Sequence, residues 1–434
     1  LTVYWPNGKR SVLPNPPTDQ LIELSQQEAS ETAVFTLPVL TPIFTETAAN
    51  NTLAFHHREN DFIDFKVEVL IPYQLSKLGP ALAKADVNGD GLEDIFVGGA
   101  VDQSGELWLQ RTDGNFQRAA QQPWQKEAVS EDVNALFFDA DGDKDADLYV
   151  VSGGNEYESG SPEYQDRLYV NDGKGNFQRN MSALPAMNDS KMAITATDFD
   201  QDGDLDLFVG GRGKAGFFPL PSVSYLLRND KGSFTDITAQ TAPALQAIGM
   251  VQTAAWADLD NDKYPELILA GDWMPLKIFQ NKGGLLNDIS DESGLTNTEG
   301  LWATLLPADV DNDGDLDIIA GNAGLNNQFK ASVKEPMSIV TTDINDDGVI
   351  DPIWSYFIEG KSYPVASRDE LLDQVVPLRK KFNRYHLYAN ATISDIYSSK
   401  QLAQAYTVYC RQLASGVFRN HNGKFTFEAF PVEA

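Results

Sequence analysis

The chain has 434 residues, 42% of them hydrophobic, and a formal net charge of −30 from 33 Lys and Arg against 63 Asp and Glu. That charge excludes nucleic acid and anionic membrane as partners, since both need a basic surface. An aromatic content of 10% argues against disorder, and no apolar run approaches the ~20 residues of a membrane span.

From the N-terminus, residues 1–9 read as a strand running into a Pro-Asn-Gly turn, and residues 20–24 as a second strand. Residues 1–31 therefore read as the end of a small β domain. Because the chain opens at Leu1 directly in a strand, it reads as part of a larger polypeptide. Residues 32–79 read as a linker, marked by Pro38 and Pro42. Within it Phe44-Thr-Glu-Thr-Ala48 mimics Phe234-Thr-Asp-Ile-Thr238 further on and is a candidate ring-closing strand. His56 and His57 have no other His or Cys at ligand spacing and read as structural.

Residues 80–434 carry six copies of one template, D-x-[DN]-x-D-[GK]-x-x-[DE]. Loop one offers Asp86, Asn88, Asp90, Leu92 and Asp94, and loop two Asp139, Asp141, Asp143, Asp145 and Asp147. Loop three offers Asp198, Asp200, Asp202, Asp204 and Asp206, and loop four Asp258, Asp260, Asp262, Tyr264 and Glu266. Loop five offers Asp309, Asp311, Asp313, Asp315 and Asp317, and loop six Asp343, Asn345, Asp347, Val349 and Asp351. The first five begin roughly 50–60 residues apart, and the sixth follows after about 34.

A short strand precedes each loop, and an apolar run ending in small residues, such as Ile95-Phe-Val-Gly-Gly99, follows it. A hairpin comes next: Leu107 to Phe116, Leu168 to Phe177, Leu226 to Phe234 and Val417 to Phe425, with Asn and Gly in the turn. Four strands per repeat make a blade, so the fold class is all-β, a β-propeller with six recognisable repeats. The short fifth repeat reads as a blade with a clipped second half. In the sixth, residues 367–413 read as a helical insertion, with Ser367 as N-cap and a break at Pro377, that delays the hairpin to Val417. Cys410 has no partner for a disulfide and reads as a packed thiol.

The loop chemistry points to calcium. Ca²⁺ takes six to eight oxygens. Positions 1, 3 and 5 supply side-chain oxygens, position 7 a backbone carbonyl (hence Leu92, Tyr264 and Val349), and position 9 an acid anchored by the next strand. Gly at position 6 allows a left-handed turn. Each loop packs four or five acids into nine residues, which repel one another without a cation. The EF-hand is excluded because position 12 is apolar and the flanks are strands. Loop two has Lys144 in place of the glycine. Loop four, with Lys263, Pro265 and Glu266, is the most degenerate, so four to six ions are expected.

Loop, Gly-Gly strand end and hairpin together resemble the FG-GAP/VCBS repeat proteins, whose propellers are similar to that of integrin α subunits. The likeness covers residues ~80–430, and it implies calcium between the first two strands of a blade and seven blades in the full protein. Residues 1–31 resemble the tail of an UnbV-type domain through Val3-Tyr-Trp-Pro-Asn-Gly-Lys9. The combination resembles exported bacterial proteins and implies a secreted, periplasmic or outer-surface location.

Propellers of this kind bind partners on the face opposite the calcium loops. There the segments after each Gly-Gly carry Tyr157, Tyr164, Arg212 and Trp273, side chains suited to protein or carbohydrate. Glu156, Glu158 and Glu163 could supply a carboxylate pair for glycoside cleavage. The sequence therefore favours a non-enzymatic calcium-binding interaction module. A polysaccharide-degrading enzyme and a structural spacer in a large surface protein are the alternatives.

Overall fold

The structure, a computed structural model, describes residues 1–32 and 53–431. The linker prolines Pro38 and Pro42 and the candidate ring-closing strand at residues 44–48 lie outside them. Two compact units are present, Leu1–Asn50 and Asn51–Ala434.

In the first unit, Thr2–Tyr4, Lys9–Val12 and Glu31–Thr32 form a three-stranded antiparallel sheet. Residues 20–24 are not a strand. Their alternation of burial is present, but among the described residues no strand pairs with them, and Leu21 stays exposed.

The second unit is an all-β propeller of four-stranded blades. Blade one is Leu82–Ala85, Asp94–Val97, Glu106–Gln110 and Phe116–Arg118. Blade two is Glu131–Phe138, Asp147–Gly153, Arg167–Asn171 and Phe177–Arg179. Blade three is Lys191–Thr197, Asp206–Gly211, Tyr225–Asp230 and Ser233–Asp236. Blade four is Met250–Ala257, Glu266–Met274, Lys277–Asn281 and Leu286–Asp288. Each is an antiparallel meander, and the first strands of successive blades adjoin. In blade four Leu286 stands where other hairpins have Phe, which hid that hairpin in the sequence.

After its opening acid, each second strand runs through consecutive apolar residues because it is buried on both faces. Alternate residues then serve different neighbours. Leu148 and Val150 join Phe96 and Leu107 of the first blade and Trp124 of the turn at Pro123–Lys126 that follows it, while Tyr149 and Val151 join Leu207 and Val209 of the third. Blade four repeats the rule, with Leu267 and Leu269 toward Phe208 and Ile268 and Ala270 toward Trp302 and Ile318. Each fully buried side chain of this size contributes about 1.5–3 kcal/mol, and a charge at one of these positions would separate two blades.

The last part of the chain differs from expectation. The fifth blade is not clipped. Its strands Gly300–Ala308 and Asp317–Asn322 are completed by the C-terminal hairpin Gly416–His421 and Lys424–Ala429, which pairs Ile318 with Phe418. Phe418 packs on Trp302, ring centroids 5.6 Å apart, and that contact fixes which blade owns the hairpin. A whole sixth sheet is therefore inserted into blade five, in the order Lys361–Pro364, Asp351–Ile358, Met337–Thr342, Tyr406–Cys410. Helices Arg368–Gln374, Tyr385–Tyr388, Ile393–Ile396 and Ser399–Gln404 lie within it, so the insertion expected over 367–413 is helical only to Gln404, because Tyr406–Cys410 pairs with Met337–Thr342 as a strand. Ser367 caps the first in a capping box with Glu370, and that helix stops before Pro377.

Candidate metal centres

All six Asp loops join the first and second strands of their sheets, and one hydrogen-bond frame recurs in each. The position-1 carboxylate accepts the N–H of position 6: Gly91 at 2.8 Å, Lys144 at 3.0 Å, Gly203 at 3.1 Å, Lys263 at 3.0 Å, Gly314 at 3.1 Å and Gly348 at 2.8 Å. The position-5 carboxylate accepts the N–H of position 7 throughout, from Leu92, Asp145, Asp204, Tyr264, Asp315 and Val349. The position-9 acid is buried and accepts the N–H of position 2: Val87, Ala140, Phe199, Leu259, Val310 and Ile344.

Position 6 takes positive φ in every loop, +101° at Gly203 but also +76° at Lys144 and +78° at Lys263. Lysine in the left-handed region costs about 1–2 kcal/mol. The frame tolerates that cost, and loop four keeps the same backbone pattern as the glycine loops despite Lys263 and Pro265.

The frame gathers oxygen donors. Ligand atoms lie within 4.8 Å of one another in Asp139–Asp141–Asp147, Asp198–Asp200–Asp206, Asp258–Asp260–Asp262 and Asp309–Asp311–Asp313. Loops one and six have the amide oxygens of Asn88 and Asn345 at position 3 instead. Asp145 Oδ1 and Asn345 Oδ1 are buried without a hydrogen bond. An all-oxygen set with orphaned oxygens fits a hard cation.

Burial sets the electrostatics. Desolvation pushes Asp147, Asp206 and Glu266 up to about 7 and Asp351 up to about 6, against the N–H groups that lower them. At the exposed position 1 of loop one, slight desolvation of Asp86 is outweighed by the N–H groups of Gly91, Gly89 and Asp90, which hold its carboxyl below the usual range.

Two features were invisible in the sequence reading. The first Asn of each of four hairpins is a staple rather than a positive-φ residue; Asn422, at φ +55°, is a hairpin Asn that takes the turn conformation, as Gly114, Gly173, Gly175, Gly232 and Gly423 do. The N–H groups of Asn171, Asn229 and Asn420 reach the position-9 acid of their own loop at 2.8 Å, as does that of Asn281 at 3.3 Å. Asn171, Asn229 and Asn281 also donate side-chain N–H to the position-2 carbonyl of the preceding blade's loop, at Val87, Ala140 and Phe199, each at 2.8 Å. Asn420 reaches only Leu316 among the described residues. There a cavity of about 450 Å³ opens between loop four and the fifth hairpin, lined by Asp260, Glu266, Asp315, Asn422 and Lys424. The second feature is Arg419, whose Nη1 lies 3.2 Å from Asp317 and 3.5 Å from Asp311, placing a resident cation against loop five.

The opposite end of the blades departs from expectation. Tyr164, Arg212 and Trp273 are 0%, 4% and 4% exposed and are not presented to a partner. Tyr164 donates its hydroxyl to the Tyr157 carbonyl, and Arg212 pairs with Asp272 at 3.0 Å. Trp273 packs edge-on against Trp354. Tyr157 is half-buried and donates to the Val129 carbonyl. The reason is the segment at residues 64–76, which covers this end. Buried Asp64 accepts from Leu75, Ser76 and Asn155, Glu68 accepts from Asn155 and Phe218, and Tyr73 donates to Asp272. Glu158 is exposed and Glu163 accepts from Ser161. Glu156 faces neither of them, but Glu131. Among the described residues no helix is long and apolar enough to cross a membrane.

Three stretches, residues 86–150, 139–209 and 258–320, match the FG-GAP-like repeat family. Each begins at position 1 of an Asp loop and ends in the strand after the next loop, so the chain contains three FG-GAP-like repeats. No curated protein matches the chain. Among solved structures it is similar to Saccharomyces cerevisiae Sqt1, at 11% identity and a TM-score of 0.35, over 58% of this chain and 59% of that one. It is also similar to a protein from Bifidobacterium bifidum s17 named as an exo-beta-1,3-galactanase, at 9% identity and a TM-score of 0.30, over 68% and 92%.

Proposed function

We propose that the chain is a calcium-stabilised propeller that serves as a binding module for protein or carbohydrate, secreted, periplasmic or on the outer surface of a bacterial cell. The observation that carries the reading is the shared loop frame. Six times, backbone N–H groups fix the acids of positions 1, 5 and 9, and in loops two to five three carboxylates come within 4.8 Å of one another. Bound calcium would be held by positions 1, 3, 5, 7 and 9 and would supply the charge that lets them stay ionised. Millimolar calcium outside the cell suits loops of modest affinity. The resemblance of residues 1–31 to an UnbV-type tail supports an exported parent with further domains.

The segment at 64–76 holds Asn155, Phe218 and Asp272 at the end opposite the loops, so the partner is expected beside it, near Phe217 and Val129, which are exposed. Calorimetric titration should find four to six calcium ions. Magnesium should not replace them, because its octahedral shell takes fewer ligands. A glycan and glycoprotein array, read in calcium and in chelator, should give calcium-dependent binding. New reducing ends from a bound polysaccharide would replace this reading with the enzymatic one. At most one bound calcium would remove its basis.

A further inference from the structure

At the far end of blade two from its Asp loop, three side chains converge that the calcium reading does not use. His57, Glu59 and Glu131 each offer a donor atom, all within 4.8 Å of one another. Glu131 opens the eight-residue strand Glu131–Phe138 and loop two follows that strand, so the cluster stands about 23 Å from loop two.

Their hydrogen bonds use only part of their capacity. His57 Nε2 lies 2.8 Å from Glu59 Oε1, and Glu131 Oε2 accepts the Val101 N–H at 3.0 Å. His57 Nδ1, Glu59 Oε2 and Glu131 Oε1 are left buried with no hydrogen bond. Glu131 is 1% exposed. A Cβ built on Gly79 would sit 3.2 Å from His57 Cε1 and 3.4 Å from Glu131 Oε1, so ring and free oxygen meet at one point of the backbone. Glu156 stands beside them. Its Oε2 accepts the Asn155 N–H and its Oε1 is again buried and unpaired. Among the described residues, Glu59 has only His57 as an ion-pair partner. The buried guanidinium of Arg167 is committed to Asp132 at 2.6 Å.

Buried carboxylates without a counter-charge are costly, by several kcal/mol each. A proton relieves one carboxyl and leaves the imidazole lone pair and the other oxygens as they were. A divalent cation engages all of them at once. We propose that His57, Glu59 and Glu131 hold one divalent transition-metal ion of the Zn²⁺ or Mn²⁺ class, with Glu156 or water completing its shell. The imidazole separates this site from the Asp loops, because calcium takes oxygen ligands, whereas mixed nitrogen and carboxylate sets suit zinc and manganese. His57 Nε2 and Glu59 Oε1 stand 2.8 Å apart, a separation that suits neighbouring ligands on one ion, so Nε2 is the nitrogen that would face the metal, with the ion in place of the proton between the two groups.

The test uses the whole chain in millimolar calcium, so that the loops are filled, with zinc chloride or manganese chloride as the probe. One equivalent should bind, and Glu131→Gln should weaken it about tenfold or more. Asp202→Ala in loop three should leave it unchanged. Pulsed electron paramagnetic resonance of the manganese form should show a nitrogen coupling that His57→Gln abolishes. No uptake in the presence of calcium, uptake unaffected by both Glu131→Gln and His57→Gln, or manganese without nitrogen coupling would each overturn the site. The coupling is read on the unsubstituted protein, so it decides the matter even if a variant fails to fold.

Discussion

Loop three separates what an Asp loop does for the fold from what it does for a cation. Asp206 is fully buried and holds two N–H groups, Asn229 at 2.8 Å and Phe199 at 3.3 Å. Asp206→Ala orphans both, at about 1–3 kcal/mol each, so a loss of about 2–6 kcal/mol is expected in chelator as well as in calcium. Asp202 is exposed and, among the described residues, holds only the N–H of Asp204. Asp202→Ala should change stability by no more than about 0.5 kcal/mol in chelator. In calcium it forfeits the linked term, about 2.7 kcal/mol when free calcium is a hundred times the dissociation constant. Asp262→Ala in loop four should behave like Asp202→Ala, because the frame around Lys263 is the same. Urea unfolding followed by tryptophan fluorescence, with calcium and with EGTA, measures all three. Equal losses for Asp202→Ala in the two conditions would refute the division of labour, and so would an Asp206→Ala protein as stable as its parent in EGTA.

Stability in chelator should fall as pH rises from about 5 to 7.5. Burial raises the folded-state values of Asp147, Asp206, Glu266 and Asp351 above the unfolded ones, so the folded chain binds protons more tightly and loses that advantage as pH passes 6 to 7. Calcium requires the deprotonated acids, so its stabilising effect should grow over the same window. Melting curves across that range check both, and a chelated chain that gains stability with pH would contradict them. Arg419→Gln should tighten calcium at loop five about fivefold by removing an ion-pair competitor worth about 1 kcal/mol, read by calorimetry against the parent. Burial pushes the Cys410 thiol up to about 12, so a thiol reagent at pH 8 should label it only after unfolding.

The loops and most hairpins were legible because their chemistry is local: nine consecutive residues carry the donors and the turn. The insertion was legible in part, from Ser367 and Pro377. Ownership of the last hairpin was not, since Phe418 finds Trp302 only across an inserted sheet. Tyr164, Arg212 and Trp273 have side chains suited to an interface, but their exposure depends on residues 64–76, a segment with no strand pattern. His57 and Glu131 meet through tertiary folding alone, and no linear spacing links an imidazole to an acid on a different element. Arg419 likewise reaches Asp311 and Asp317 from far along the chain.

The asparagine staples make neighbouring loops partners. Because Asn171, Asn229 and Asn281 each grip their own loop and the one before it, loops one to four form a nearest-neighbour chain, in the manner of a one-dimensional repeat array. Filling one loop should then ease the filling of the next, and losing one should propagate along the row. The row ends at the cavity beside loop four, where among the described residues Asn420 has no grip on its predecessor. Loop five, already sharing its acids with Arg419, should titrate as an independent site.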